Sequence, residues 1–505
     1  MTYSGGVALL RIVSAGVGIS AGILFLAPAP APAQPAGAAF STPAWQARAA
    51  NPRRGYNRRP AGGPTTCTTS DSVSFVGIAG ESDVAGHGSA VPGGEGNEAC
   101  DYYGVIAGGS GNGIGASGEA DESFIGAGNN NGVTGDEAFV GTGQNNAAGG
   151  AGAFVGAGYF NLGSGNAAFV GAGGLTYFEA QTNNGASPTI DNLAAGTDSF
   201  VGGGDLNQVS GPGSFIGGGG YSYALTFATT AGNQIAGTDS FIGAGDQNDV
   251  AGNLAFVGGG KSNSIAAQAT YAAVAGGSAN SVTGEYGAIA GGIGGKAAGT
   301  AAAVGGGEAN LASGAVATIP GGYHNVASGI ASFAAGYGAE ALTNGAFVWA
   351  DEASTARVKS TLNNEFLARA SGGVYFYSNS ASTVGVRLAA GSGAWSSLSD
   401  RNLKTGVAPL DDAAVLDKVA ALPVSVWSYR TEPGVRHVGP MAQDFYAAFG
   451  VGEDDRHITS IDEDGVALAA IKALHAENRG LYSENRELRA RLAALERKVE
   501  ALGRR

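Results

Sequence analysis

Few residues in this 505-residue sequence are spaced so as to do chemistry on their own. Gly260-Lys261-Ser262 has the ending of a phosphate loop, in which backbone amides cradle phosphate and the lysine neutralises it. The glycine such a loop needs five residues before Gly260 is Ala255, and the stretch lies inside a repeat rather than between a strand and a helix. The glycine-rich string 108–115 lacks the strand–helix–strand setting of a dinucleotide site. Gly202-Gly203-Gly204-Asp205 does not recur every nine residues, as a calcium-binding nonapeptide would. No pair of carboxylates stands out for sugar cleavage. Cys67 and Cys100 are too few for a disulfide framework; they form one bridge in an exported chain or stand as separate thiols. Ser399 and Lys404 are a hydroxyl and an amine five residues apart, and neither that spacing nor the lone His437 carries information in isolation.

The elements around these residues are far more regular. Glycine makes up 90 of 505 residues, about 18%, and charged residues only 13%, which excludes an ordinary mixed-core enzyme. There is no Gly-X-Y period and there are only 16 prolines, so collagen is excluded; 44% hydrophobic residues exclude simple disorder. A net charge of −14 speaks against nucleic acid as a partner.

From residue 73 a phrase recurs: Ser-Phe-Val-Gly at 74–77, Ser-Phe-Ile-Gly at 123–126, Ala-Phe-Val-Gly at 138–141, 153–156 and 168–171. Phe124, Phe139, Phe154 and Phe169 are 15 residues apart, and the phase continues through Phe200, Phe215, Phe241 and Phe256 to Ala273, Ala288, Ala303, Thr318 and Phe333. Asparagine follows seven positions after the anchor, as at Asn112, Asn131, Asn146 and Asn161, and glycine eleven after it, as at Gly135, Gly150 and Gly165. A 15-residue period is too short for a helical pair and predicts a β-solenoid coil of two short strands. Glycine is expected at corners needing positive φ, and the asparagines are expected to form a hydrogen-bonded ladder. So small a coil encloses little, so lateral association of chains is expected to help bury the Phe and Ile side chains. The phrases resemble the head repeats of trimeric autotransporter adhesins and of phage tail-fibre-like proteins, which implies a homotrimeric rod. Those adhesins end in four membrane strands, whereas this chain ends in a charged helix, so no integral membrane barrel is expected. Insertions near 172–194 and 220–231 carry Tyr177, Phe178, Tyr221, Tyr223 and Phe227, residues suited to binding or to shielding the rod.

Ahead of the repeat, residues 1–33 have the composition of a signal peptide, with Arg11 the single charge and an apolar stretch from Ile12 to Leu26. A retained anchor is the alternative. Residues 34–72 form a Pro- and Arg-rich linker. The repeat region is assigned to 73–347 and a β-rich neck to 348–398, with the alternation at 373–389 predicting strands.

Composition changes at Ser399. The last 107 residues hold 17 acidic and 15 basic residues, about 30%. Helical periodicity covers Asp411–Leu422 and Met441–Phe449, and a long helix is predicted from Val466 to the end. Leu474, Leu481, Leu488, Leu495 and Leu502 recur every seven residues, with Ile471, Asn478, Asn485, Leu492 and Val499 as the alternate positions. That is a coiled-coil seam over 466–502, whose two asparagines fix register at a cost in stability.

The motif order here is Ser399-Asp400-Arg401-Asn402-Leu403-Lys404, Leu416-Asp417-Lys418, Leu422-Pro423-Val424, Trp427-Ser428-Tyr429, then His437-Val438-Gly439-Pro440-Met441-Ala442-Gln443-Asp444-Phe445 and Asp464-Gly465-Val466-Ala467. It resembles the intramolecular chaperone domain of endosialidase tailspikes, the peptidase S74 family, over 399–505. The resemblance implies a domain that assembles the chain into a trimer and cuts itself off between Leu398 and Ser399. It implies a Ser399–Lys404 dyad assisted by His437, with no cofactor and no metal.

The sequence therefore predicts a mainly β protein: a β-solenoid or β-roll rod, trimeric, followed by a small α+β domain ending in a coiled-coil helix. The corresponding function is an exported, extracellular or cell-surface fibre or adhesin-like protein. A non-cleaving adhesive protein and a glycan-degrading spike are the alternatives.

Overall fold

A computed structural model describes residues 75–76, 83–84, 87–115, 120–174, 191–220 and 232–504. The expected signal peptide, the linker and most of both insertions, with Tyr177, Phe178, Tyr221, Tyr223 and Phe227, lie outside the described residues. Two compact units, Met1–Gly277 and Ser278–Arg505, make up the chain.

In the first unit every coil contributes two two-residue strands, each pairing in parallel with its counterpart one coil on. Phe139 pairs with Phe154 and Phe154 with Phe169, while Ala147 pairs with Leu162. Within each strand the second residue points inward. Val140, Val155, Val170, Val201, Ile216 and Ile242 are completely buried, at about 1.5–3 kcal/mol per side chain. The phenylalanines point the other way. Their rings stack coil on coil from Phe124 to Phe256, with centroids 4.4–5.3 Å apart and planes within 12° of parallel. Lateral association is thus not what buries the Val and Ile side chains, because a single chain closes around them. The Phe rings are instead partly covered by one another.

The asparagine ladder runs beside this core. Asn146 Nδ2 donates to Asn131 Oδ1 (3.2 Å), Thr142 O (3.1 Å) and Gly158 O (2.8 Å); its own Oδ1 accepts from Asn161 N (3.1 Å) and Nδ2 (3.0 Å). Each buried amide so meets its hydrogen-bonding demand within the coils above and below.

Glycine has a second role besides the one the sequence suggested. Gly135, eleven residues after its anchor, does not have positive φ; a Cβ there would lie 2.2 Å from Gly150 O on the next coil. Several positive-φ corners are occupied by other residues, among them Glu122, Asn130, Glu137 and Asn145. Close approach between coils therefore selects glycine at Gly135.

Across both insertions the pairing holds register, Phe169 with Phe200 and Phe215 with Phe241. The described chain resumes in the same phase after each insertion. Cys100 is disulfide-bonded, and its other half lies outside the described residues.

The second unit begins with coils of the same type, now with Ala288, Ala303 and Thr318 in the anchor row. At Gly295 the asparagine ladder is interrupted; Gly295 N donates to Asn280 Oδ1 at 2.9 Å. Parallel pairing continues through Phe333, Phe347 and Phe366, and the strand Phe366–Arg369 is its last member. Glu340, buried, is held by Arg357 (2.9 Å) and Lys359 (2.8 Å). An antiparallel sheet follows: β1 (Gly373–Tyr377), β2 (Gly385–Ala389) and β3 (Trp395–Ser397), with β2 in the centre.

The C-terminal region holds three helices and one hairpin. Helix α1 (Asp412–Ala421) starts at Asp411, whose carboxylate accepts from the amides of Ala413 and Ala414. The hairpin pairs Ser425–Trp427 with His437–Gly439. Helix α2 (Ala442–Phe449) stops at Gly450, where φ is +63°. Helix α3 (Ser460–Gly503) is capped by Thr459. It begins six residues before the Val466 expected from the heptads, because its first turns pack on α1 rather than on a seam. Val415, Ala469 and Ala470 form that small core with Leu416, Val419, Phe449 and Val466 around it, and Lys472 ties to Asp412 at 2.7 Å.

Candidate functional site

Ser399 follows β3 directly. The strand pairs Trp395 with Leu388 and Ser397 with Val386, and the Leu398 amide donates to Gly385 O at 3.3 Å. The residue before the serine is thereby tied to the sheet. Beyond Ser399 the chain turns through a short 3₁₀ segment, Arg401–Leu403. Asp400 caps that segment: its Oδ1 accepts from the Asn402 amide at 2.9 Å and from Asn402 Nδ2 at 3.0 Å. The Leu403 amide donates to Asp400 O and the Lys404 amide to Arg401 O.

This turn brings the lysine back over the serine. Lys404 Nζ donates to Ser399 Oγ at 2.6 Å. Positions 399–410 are all exposed in the isolated chain. Lysine becomes a general base only after its ammonium loses the proton, which burial promotes. In geometry the pair is a nucleophile within reach of a base, and one that solvent still covers.

His437 sits elsewhere, on the hairpin directly across from Trp427. The Trp427 ring stacks on it at 4.7 Å, and Tyr429 meets it edge-on at 5.6 Å. Its Nε2 is buried without a hydrogen-bond partner, as is Trp427 Nε1. No hydrogen bond joins His437 to Ser399 or Lys404 among the described residues. The aromatic flanks were not legible in sequence, because they depend on a hairpin register set across a nine-residue connection.

The heptad residues lie on α3 with their side chains exposed: Ile471 61%, Leu474 49%, Leu481 55%, Leu488 52%, Leu492 57%, Leu495 58%, Val499 67% and Leu502 71%. Asn478 and Asn485 turn their amides onto their own helix, donating to Leu474 O (2.8 Å) and Leu481 O (2.9 Å). Among the described residues no group of His, Cys, Asp and Glu could hold a metal ion, and no helix is long and apolar enough to cross a membrane.

Compared with known families, residues 399–451 match the one described as chaperone of endosialidase, Peptidase_S74. The matched span covers the Ser399–Lys404 turn, α1, the hairpin and α2, and stops before α3. No curated protein matches the chain. The protein thus joins parallel β-solenoid repeats to a segment of the endosialidase-chaperone type.

Proposed function

We propose that the chain is the subunit of an exported homotrimeric fibre, whose C-terminal domain directs assembly and then releases itself by cutting between Leu398 and Ser399. The observation carrying this reading is the 2.6 Å contact between Lys404 Nζ and Ser399 Oγ, immediately after the tethered Leu398. The repeats supply the fibre, and the unpartnered seam of α3 supplies a means for three copies to find each other.

The chemistry follows from the residues. Ser399 Oγ attacks the Leu398 carbonyl carbon while Lys404 takes the hydroxyl proton. The resulting tetrahedral centre collapses with loss of the C–N bond, and the proton passes to the departing Ser399 nitrogen. Leu398 is then an ester on Ser399 Oγ. Water hydrolyses that ester, leaving a Leu398 carboxylate and a Ser399 with a free amino group. A neutral Lys404 is needed, so the cut waits until assembly shields the turn. That requirement makes cleavage a report of correct folding.

The test is to produce the wild type and Ser399→Ala under native folding conditions and to determine product masses and the new N-terminus. A fragment beginning at Ser399 from the wild type alone supports the proposal. An intact wild-type trimer would leave an adhesive protein that keeps its C-terminal domain.

A further inference from the structure

The residue beside the nucleophile is an acid, and the direction of its carboxylate decides which partner Lys404 is offered. An aspartate four residues before a lysine in a tight turn is placed to pair with it, and such a pair favours the ammonium. The turn does not make that pair. Asp400 Oδ1 accepts twice from Asn402, from its amide and from its side-chain Nδ2, while Lys404 Nζ donates to Ser399 Oγ. The charged side chains of the exposed 399–410 stretch are Asp400, Arg401 and Lys404 alone, so Asp400 is the one carboxylate this segment can offer the lysine.

We infer that Asn402 is a positioning residue for self-cleavage: its side-chain amide holds the Asp400 carboxylate on the 3₁₀ turn and off Lys404, leaving the amine to the serine. This rests on the self-cleavage reading and goes beyond it by assigning a role to a residue that touches no reacting atom. The backbone amide of residue 402 remains in any variant, so only the Nδ2 half of the clasp is removable by mutation. Losing it frees the carboxylate to swing to Lys404 and stabilise the ammonium. Cleavage then needs a higher pH, with the rate at high pH little changed.

The experiment is the pH profile of the self-cleavage rate in the full chain, from pH 5 to 10, with trimer formation checked in parallel. Asn402→Ala is expected to raise the pH of half-maximal rate by about one unit. Asn402→Ser, which keeps a donor at that position, restores the wild-type profile. The double variant Asp400→Asn with Asn402→Ala has no carboxylate to swing and returns to the wild-type profile or below it. An Asn402→Ala profile superimposable on wild type, or lowered equally at every pH, overturns the inference and leaves self-cleavage standing. A shift that persists in the double variant overturns it as well. A wild type intact at every pH overturns the self-cleavage reading and this inference with it.

Discussion

Arg369 holds Asp351 across adjacent parallel strands, where the last coil gives way to the antiparallel neck. Its Nε donates to Asp351 Oδ1 at 2.8 Å, while its other nitrogens reach the carbonyls of Asp351, Ser354 and Ala356. The Ser371 amide donates to Asp351 Oδ2 at 2.6 Å.

This constellation gives the neck an acid limit. Hydrogen bonds from Ser371, and then from Arg369, lower the Asp351 carboxyl from 3.8 to about 2. A carboxyl whose folded value lies below its unfolded value stabilises the fold above the unfolded value, and that contribution disappears as pH falls through the folded one. Thermal melts of the wild type and Asp351→Asn between pH 1.5 and 6 should differ most above pH 4, with the wild type the more stable. The two curves should converge near pH 2.

Two glycines at different positions of the repeat should behave differently. Gly135→Ala drives a Cβ to 2.2 Å from Gly150 O and 2.4 Å from its carbon, and backbone cannot yield without parting the coils. At Gly108 nothing lies within 4 Å of the same Cβ. Melting of Gly135→Ala should fall by several degrees, about 2 kcal/mol or more, whereas Gly108→Ala should match the wild type.

The asparagine ladder can be weakened or extended. Asn146→Ala leaves Thr142 O, Gly158 O and Asn131 Oδ1 each short of a buried donor. The expected loss is about 2–4 kcal/mol, from groups costing about 1–3 kcal/mol each. Gly295→Asn fills the interruption opposite Asn280 and Asn310, where the nearest atom to an added Cβ is Asn280 Oδ1 at 3.0 Å. It should raise the melting temperature, by about 1 kcal/mol of added stability, measured by circular dichroism.

Helix α3 should depend on other copies. Beyond its contacts with α1 it is about 30 residues of helix with an exposed apolar seam, and helical stability in proteins comes mostly from packing of such a face. Leu488→Asp, made in the Ser399→Ala chain to keep the domain attached, should reduce helicity and abolish trimers in analytical ultracentrifugation. Tyr482→Asp, on a residue outside the seam, should leave both unchanged.

The period of 15 was legible because the coil is a local object: each strand pairs with the residue one repeat away, so register can be counted along the chain. The direction of the phenylalanines was harder to see. In a two-residue strand the larger apolar side chain is naturally taken for the core, yet a coil this narrow admits Val155 and excludes Phe154. The role of Gly135 was hidden for a related reason, since glycine selected by crowding from the next coil looks the same in sequence as glycine selected by φ. Ser399 and Lys404 were found through the motifs around them; their 2.6 Å approach depends on the Asp400 cap, which sequence does not display. The surroundings of His437 come from a hairpin pairing that no local pattern announces.

The in-register stacking of Phe139, Phe154 and Phe169 also bears on how such a protein changes size. Each coil presents the same two surfaces, one above and one below, so removing residues 139–153 joins Phe124 to the context formerly met by Phe139. Length is therefore counted in whole steps of about 4.8 Å, the spacing between paired strands. Duplication or loss of a 15-residue segment lengthens or shortens the column and still sets Phe against Phe in the anchor row, whereas a deletion of one residue within a strand turns its inward Val or Ile outward.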